Sequence, residues 1–572
     1  MTGYDVVCRT LETLGVGCVF GLPGSQNIPF FEALRRSNLR TVVPTSELSA
    51  AFMAIGFARA SGKAGVLTTI PGPGFTYAVT GLAEARLDSV PLLHIVQRPA
   101  SGPGSRFNLQ SLDQQAIAAS LVKGVFRPEV AGELSTTIRT AYDLAVHGEP
   151  GPVMVELAAT MLEGETPEPA NADVIEGGGP PLSPPRELRS AIALLRNARR
   201  PILLAGQGSA SDEDWLRALA ERLPSPVLTS TSGRGVLAED HFLAVPSDLC
   251  QLDDVNALIA ECDLVLALGI KFSHNGSRGF GLRIPPERLI HVDASQEVLG
   301  ANYPGHLLIH GDVPHFISQV LDALEEQGST ASTWTPDEVA AWRRRVAVGR
   351  SGGVEPSVAG ADPSTPAKFF ALVGEALPRA ACLVTDSGWH QMLVRRYFQV
   401  LAFRSLIVPT NLQSMGFGLP AAIGAKLAAP ERPVVVVLGD GGFLMCGMEL
   451  VTAVRHNLSL PIIVFNDGSY GLIRIQQLRD YGRTHGVDCS GLDLESVALA
   501  SGARYVRVDR DIRAPLRAAV AASGPTLIEV MVGDSSGIHR LRAAGIVRRT
   551  APRGLWQGVA RWLRRLRAAR RD

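Results

Sequence analysis

The sequence predicts an α/β protein. It reads as three consecutive domains, each a mainly parallel β-sheet flanked by helices, followed by a basic C-terminal tail. Three observations predict this. The chain has 572 residues, enough for three or four domains at roughly 150 residues each. Short runs of Val, Ile and Leu recur without polar alternation, which marks strands buried on both faces and hence parallel sheets covered by helices. Two stretches rich in Gly, Pro and Ser, residues 163–185 and about 327–366, read as linkers.

Taken in order, the elements fall into three blocks. In residues 1–165, TVVPT (41–45), GVLTTI (65–70) and PLLHIV (91–96) are strand-like. In residues 186–326 the strand-like runs are PILLAG (201–206), DLVLALG (263–269) and LIHVD (289–293). In residues 363–535 they are CLVTD (382–386), PVVVVLGD (433–440), LPIIVFND (460–467) and TLIEVMV (526–532). Helix-length segments separate these runs, as βαβ units require. Nothing in the sequence alone decides whether the first and third blocks are distant copies.

Composition bounds the function classes. Hydrophobic residues make up 46% and charged residues 19%, enough apolar content for large cores. The formal net charge is zero, but it is unevenly spread. Residues 537–572 hold eleven Arg and one acidic residue, so the rest of the chain is net acidic by ten charges. The zero balance thus hides an acidic body that ends in a basic tail, and no nucleic-acid partner is expected. The seven Cys form no CxxC pair and no metal-binding spacing, and read as reduced thiols of a cytoplasmic protein. No basic, then apolar, leader is evident at the start, and no run of 18 apolar residues is present.

The most informative segment is residues 433–470. A buried strand ends in Gly439-Asp440-Gly441, a helix-length segment follows, and a second buried strand ends in Asn466-Asp467-Gly468. This is a βαβ unit that sets Asp440 and Asp467 at the carboxyl ends of parallel strands, where open α/β sheets bind ligands. Glycines beside Asp440 allow a diphosphate to approach the backbone. Two carboxylates there repel each other and the phosphates unless a cation lies between them. Mg²⁺ fits, because it takes oxygen ligands and shares them with phosphates.

These residues resemble the thiamine-diphosphate enzymes of the acetolactate synthase, benzoylformate decarboxylase and pyruvate decarboxylase type. The resemblance runs to about Val532 and is strongest to acetolactate synthase large subunits. It implies a pyrimidine-binding domain over 1–165, a central domain over 186–326 and a diphosphate-binding domain over 363–535. It implies Mg²⁺ held by Asp440, Asp467 and the Ser469 carbonyl, although the usual Asn-Asn pair reads Asn-Asp here. Gly439, Gly441, Gly442, Tyr470 and Gly471 would complete that half of the cofactor site.

The same resemblance extends to TSELSAAFMAIGFARASG (45–62). It implies that Glu47 bonds N1′ of the aminopyrimidine, with Ser46 in place of the common His. FGLPG (20–24), with Pro23 and Gly24, and PGPG (71–74), with Gly72, follow in family order. In SMGFGLPAAIGAK (414–426), Met415 would be the apolar wedge beneath the cofactor, and Gly416 would permit close approach.

Substrate residues are less marked. Gln110 matches the Gln of a Phe-Gln pair in carboligases, with Leu109 replacing the Phe, and Lys123 matches the Lys of that segment. Ser25 resembles a substrate-contacting Ser of benzoylformate decarboxylase. His274 and His390 are further acid/base candidates, and Gln476 and Gln477 are candidates for the substrate end of the cofactor. In the central block Gly206-Gln207-Gly208 lacks the third glycine and the distant acid of a dinucleotide fingerprint. Some relatives hold FAD or ADP there, and neither is favoured here.

The resemblance therefore implies decarboxylation of a 2-oxo acid and transfer of its acyl unit to a carbonyl acceptor. Simple decarboxylation or carbon–carbon cleavage are the alternatives within the family. A catalytically silent paralogue is the alternative outside it. The family's site lies between the first domain of one subunit and the third of another, which implies a homodimer or homotetramer. The tail lies outside the resemblance. Leu555, Trp556, Val559, Trp562, Leu563 and Leu566 recur at helical spacing among arginines. That pattern suits peripheral contact with an anionic membrane or a protein, docking on the acidic body, or disorder in solution.

Overall fold

The computed structural model describes residues 1–98, 108–162, 182–211, 214–327, 330–348, 358–359, 361, 364–489 and 491–533. Most of the first linker stretch and the whole basic tail lie outside these residues. The second stretch is not a plain linker: it holds the helix Pro336–Val348, whose Val339, Trp342 and Val346 join the central core.

Three parallel sheets form the frame. The first contains β1 (Cys18–Gly21), β2 (Arg40–Val42), β3 (Gly65–Thr69), β4 (Leu92–Arg98), β5 (Val125–Phe126) and β6 (Pro152–Ala158), in the order β2-β1-β3-β4-β6-β5. The central sheet contains β7 (Pro201–Ala205), β8 (Val227–Thr229), β9 (Leu264–Leu268), β10 (Leu289–Asp293) and β11 (Leu307–His310), in the order β11-β10-β9-β7-β8. The third contains β12 (Cys382–Thr385), β13 (Leu406–Ile407), β14 (Val434–Gly439), β15 (Leu460–Asn466), β16 (Arg504–Val508) and β17 (Pro525–Met531), in the order β13-β12-β14-β15-β17-β16. Every strand pair within these sheets is parallel.

The first and third sheets share one topology. Counted from its first strand, each runs second, first, third, fourth, sixth, fifth. This is the duplication that the sequence left undecided. The central five-stranded sheet, counted the same way, runs second, first, third, fourth, fifth, and so lacks only the sixth strand of the other two.

The apolar runs predict the buried strands: β3, β7, β9, β10 and β12 are buried along their whole length. Several strands escape the apolar-run criterion for local reasons. Four-residue β1 is short, and β6 carries a buried Glu156. β16 is an edge strand, RYVRV, whose side chains are mostly exposed or half-buried.

The first and third domains meet through two helices, Glu47–Ser61 and Gly418–Ala428, and this is the most extensive helix–helix contact in the described structure. Both helices are apolar on nearly all sides. Ser49 to Ala58 and Gly418 to Leu427 are buried without a break. Glycines set the closeness of the crossing. A Cβ on Gly56 would fall inside the Ala421 carbonyl, and one on Gly424 inside the Met53 carbonyl. Ala50–Phe57 and Leu419–Ala425 share one apolar core with residues of both sheets. The central domain has its own core.

Candidate active site

Glu47 is the first residue of its helix. The Ser46 side chain caps that helix, accepting the Ser49 N–H at 3.2 Å. A carboxylate in the first turn also suits the positive end of the helix dipole. Its Oε1 lies against Gly74, where an added Cβ would approach to 3.1 Å. Gly74 opens the Pro73–Leu87 helix after β3. At that turn Gly72 has φ +65°, which a glycine adopts without strain.

The Gly72 N–H donates to the Gln114 side chain at 3.1 Å, and Gln110 packs directly over Gly72. Gln110 accepts a hydrogen bond from the Gln26 amide at 2.9 Å. Gly24 donates its N–H to Asn27 at 2.7 Å and lies against Ile70. Pro23 and Ser25 on the same turn are exposed. Pro23, Gly24, Ser25, Glu47, Gly72 and Gln110 thus converge from the loops that follow β1, β2, β3 and β4.

On the third domain, Asp440 begins a helix at the end of β14 and is 2% exposed. Its Oδ1 accepts the Gly441 N–H at 2.8 Å, while its buried Oδ2 has no partner. Burial, and then the nearby Asp467, push its pKa up to about 6. Burial also raises Asp467, against the two bonds it accepts from Ser469, at 3.0 Å from N–H and 3.2 Å from Oγ. The Ser469 carbonyl accepts the Gly471 N–H at 2.8 Å and keeps a second lone pair. Segment 487–489 straps this loop, with Tyr470 N–H donating to Val487 at 2.8 Å and Cys489 N–H to Gly468 at 3.0 Å. An orphaned carboxylate oxygen beside a second carboxylate is a donor set that suits a hard cation. A group of three or more His, Cys, Asp or Glu placed to hold a metal is absent from the described residues.

The remaining predicted positions close around this pair. Gly441 lies against the Tyr470 ring and 3.7 Å from the Met415 methyl, measured from an ideal Cβ. Gly442 lies against Asp386, Gly471 against Asp467, and Gly439 against the His390 ring. Gly416, at φ +78°, lies against Cys446 and Met445.

Several candidates prove to be elsewhere. Lys123 turns away to cap a helix C-terminus, donating to the carbonyls of Leu144 and His147. Burial brings its pKa down to about 8. His274 is exposed on the central domain, its ring edge-on to Phe280. Gln476 is exposed, and Gln477 spends both ends of its amide on the His485 backbone. His390 does reach the site, but as a buried wall. Its Nε2 lies 3.0 Å from the Asp386 carbonyl, and burial lowers its pKa to about 4.

Residues that sequence reasoning missed hold the site together. Asp386, fully buried at the end of β12, accepts the N–H groups of Ser387 at 2.6 Å and Gly416 at 3.0 Å. Burial pushes its pKa up to about 7. Its strand-end position, like that of Asp440, was a usable signal in CLVTD. Glu449, Glu84 and Asp88 cross between the domains. Glu449 bonds Thr45, Glu84 accepts the Ser414 N–H, and Asp88 accepts those of Thr410 and Asn411. A helical Glu gives no sequence sign of such a role.

One chain docks its own first and third domains, and Ser49 Oγ lies 3.8 Å from Cys446 Sγ.

Two topologically identical parallel sheets, one ending in paired carboxylates and the other presenting a Glu at the first position of a helix, define an α/β enzyme built on two related domains. The chain belongs to the thiamine pyrophosphate enzyme family. Residues 1–117 match its N-terminal TPP-binding domain, 188–321 its central domain and 386–530 its C-terminal TPP-binding domain. The chain is 30% identical to a probable acetolactate synthase large subunit of Methanocaldococcus jannaschii, over 95% of this chain and 94% of the relative. It is 30% identical to the acetolactate synthase isozyme 1 large subunit of Escherichia coli, over 95% and 96%. It is 33% identical to a probable 2-ketoarginine decarboxylase, AruI, of Pseudomonas aeruginosa, over 93% and 94%. The protein is therefore a thiamine diphosphate-dependent, acetolactate synthase-like enzyme.

Proposed function

We propose that this enzyme decarboxylates a 2-oxo acid and transfers the acyl unit to a carbonyl acceptor, using thiamine diphosphate anchored through Mg²⁺. The observation that carries this reading is the orphaned Asp440 Oδ2 beside Asp467 at two parallel strand ends, on the domain docked against the Glu47 turn. When bound, the cofactor supplies the electron sink for loss of CO₂. Asp440, Asp467 and the Ser469 carbonyl would hold Mg²⁺. Gly439, Gly441 and Gly442 would admit the diphosphate, and Tyr470 and Gly471 would close over it.

Glu47 would hold a proton at N1′ of the aminopyrimidine and return it, while Met415 would press on the cofactor from below. Gln110, steadied by Gln26, and Ser25 would face the substrate. Because the chain resembles the probable 2-ketoarginine decarboxylase as closely as the synthases, simple decarboxylation is the second reading. We assign no flavin to the central domain. The Gly208 N–H donates to the Gly269 carbonyl at 3.1 Å, and Gly206 and Gly269 are packed backbone to backbone. A homodimer or homotetramer is proposed from the family alone.

The test is incubation with thiamine diphosphate, Mg²⁺ and a panel of 2-oxo acids, with and without carbonyl acceptors, followed by mass spectrometry. Condensed products support ligation, and aldehyde alone supports decarboxylation. Absence of CO₂ release from every acid, by protein shown to bind the cofactor, overturns both.

A further inference from the structure

The duplication of topology goes beyond the sheets. In each of the two domains, the turn after the edge strand carries a residue assigned to the cofactor site, Glu47 after β2 and Met415 after β13. In each, a helix after the third strand in sequence carries a buried glutamate, Glu84 after β3 and Glu449 after β14. The contacts exchange between the domains. Glu449 Oε1 accepts the Thr45 N–H at 2.9 Å and the Thr45 hydroxyl, two residues before Glu47. Its Oε2 accepts the Thr452 hydroxyl at 2.6 Å. In return, Glu84 Oε2 accepts the Ser414 N–H at 3.0 Å, one residue before Met415.

The flanking backbone follows the same pattern. Arg455 of the third domain donates to the Val43 carbonyl at 2.8 Å, and Arg59 of the first donates to the Val408 carbonyl at 2.8 Å. Asp88, one turn beyond Glu84, accepts from Thr410 at 2.8 Å and Asn411 at 3.0 Å. The helix crossing between these sites is itself reciprocal, Gly56 on Ala421 and Gly424 on Met53. An interface of related halves in which residue i meets j and the equivalent of j meets the equivalent of i has isologous character.

We propose that Glu449 and Glu84 are a matched pair of positioning residues. Each sits on one domain and fixes the turn that presents the other domain's cofactor-site residue, so that placement of Glu47 and Met415 depends on domain docking. This rests on the thiamine diphosphate reading of the site. The physical basis is that the buried Glu449 carboxylate accepts both the Thr45 donors and the buried Thr452 hydroxyl, so that its removal costs Thr452 its acceptor and unties the exposed Thr45 from the third domain. With Glu449 gone, the β2 turn keeps its strand but loses the contact that sets its end.

The test uses the full chain. Thiamine diphosphate affinity is titrated by tryptophan fluorescence in Mg²⁺ for wild type, Glu449→Ala, Glu449→Gln, Thr45→Val, Glu84→Gln and the double variant Thr45→Val/Glu449→Ala. Melting of the apoprotein and the pH profile of kcat are recorded alongside. The expected result is affinity at least tenfold weaker for Glu449→Ala, a smaller loss for Glu449→Gln and for Glu84→Gln, and a displaced kcat profile for the Glu449 variants. The double variant should bind no more weakly than Glu449→Ala, because both changes break one contact.

Cooperatively melting variants with affinity within twofold of wild type and an unmoved pH profile would overturn the proposal, as would additive losses in the double variant. If Glu449→Ala fails to fold, Thr45→Val, a change at an exposed position, decides the matter by the same criteria. Wild type that binds no thiamine diphosphate instead refutes the reading of the site, and is thereby distinguished.

Discussion

At the residue scale, unpaired burial carries most of the information. Asp440 is buried, its Oδ2 lacks a partner, and Asp467 lies beside it. Each feature disfavours two full negative charges, so a cation there relieves both. Asp440→Asn is expected to abolish the rise in melting temperature that thiamine diphosphate with Mg²⁺ gives wild type. That rise corresponds to about 2.7 kcal/mol at one hundred times the dissociation constant, and differential scanning fluorimetry reads it.

His390 makes a pH prediction. Burial depresses its folded-state pKa from about 6.5 to about 4, so the unfolded chain binds more protons between these values. Stability from this group is present above pH 6.5 and is lost as pH falls through 4, on the order of 3 kcal/mol in full. His390→Gln should therefore lose less stability than wild type when urea midpoints are compared at pH 7 and pH 4.5.

At the element scale, the crossing of the Glu47–Ser61 and Gly418–Ala428 helices decides whether there is a site at all. Neither helix is amphipathic, because each is buried on all sides. Their sequences announce burial but not the partner. The glycines at the crossing leave no room for a side chain. Gly56→Val or Gly424→Val is expected to cost at least about 1–3 kcal/mol by overpacking, and to weaken cofactor binding in parallel, since the same helices carry Glu47 and follow Met415. Thermal melting together with cofactor titration checks this. A loss of stability without loss of affinity would mean that the site forms independently of the crossing.

Much of the candidate site was legible at this scale. Strand-end carboxylates within a βαβ unit mark Asp440 and Asp467. Gly72, Gly416 and Glu47 were legible only through the resemblance to the thiamine-diphosphate enzymes. Asp386 carried the same strand-end signal. Glu84, Asp88 and Glu449 carried none, because a Glu or Asp on a helix is ordinary until another domain covers it.

At the scale of the whole molecule, the central domain is tied to the third by buried charges. Arg395 bonds Asp248 at 2.8 and 3.1 Å, and Arg234 bonds Glu239 at 2.5 and 2.9 Å and reaches the Arg395 carbonyl at 2.9 Å. Burial pushes the Asp248 pKa up, but the Arg395 and Arg234 guanidiniums outweigh it and bring it to about 2. Removing one partner strands a buried cation. Asp248→Ala is therefore expected to cost about 3–5 kcal/mol, seen as a lower denaturation midpoint. Asp248→Ala with Arg395→Leu should recover part of that loss. No described helix is long and apolar enough to cross a membrane.

By itself the sequence determined three parallel-sheet domains and the family, because burial on both faces demands unbroken apolar runs and because glycine turns and strand-end acids sit at fixed positions along the chain. Only the tertiary structure decided that the first and third sheets share one strand order, that Lys123 and Gln477 brace backbone rather than face substrate, and that each domain grips the other's turn. Those facts depend on which surfaces meet. The meeting of distant surfaces is set by helix shape, by buried acceptors in search of donors, and by where a Cβ has no room, none of which is written as a local pattern along the chain.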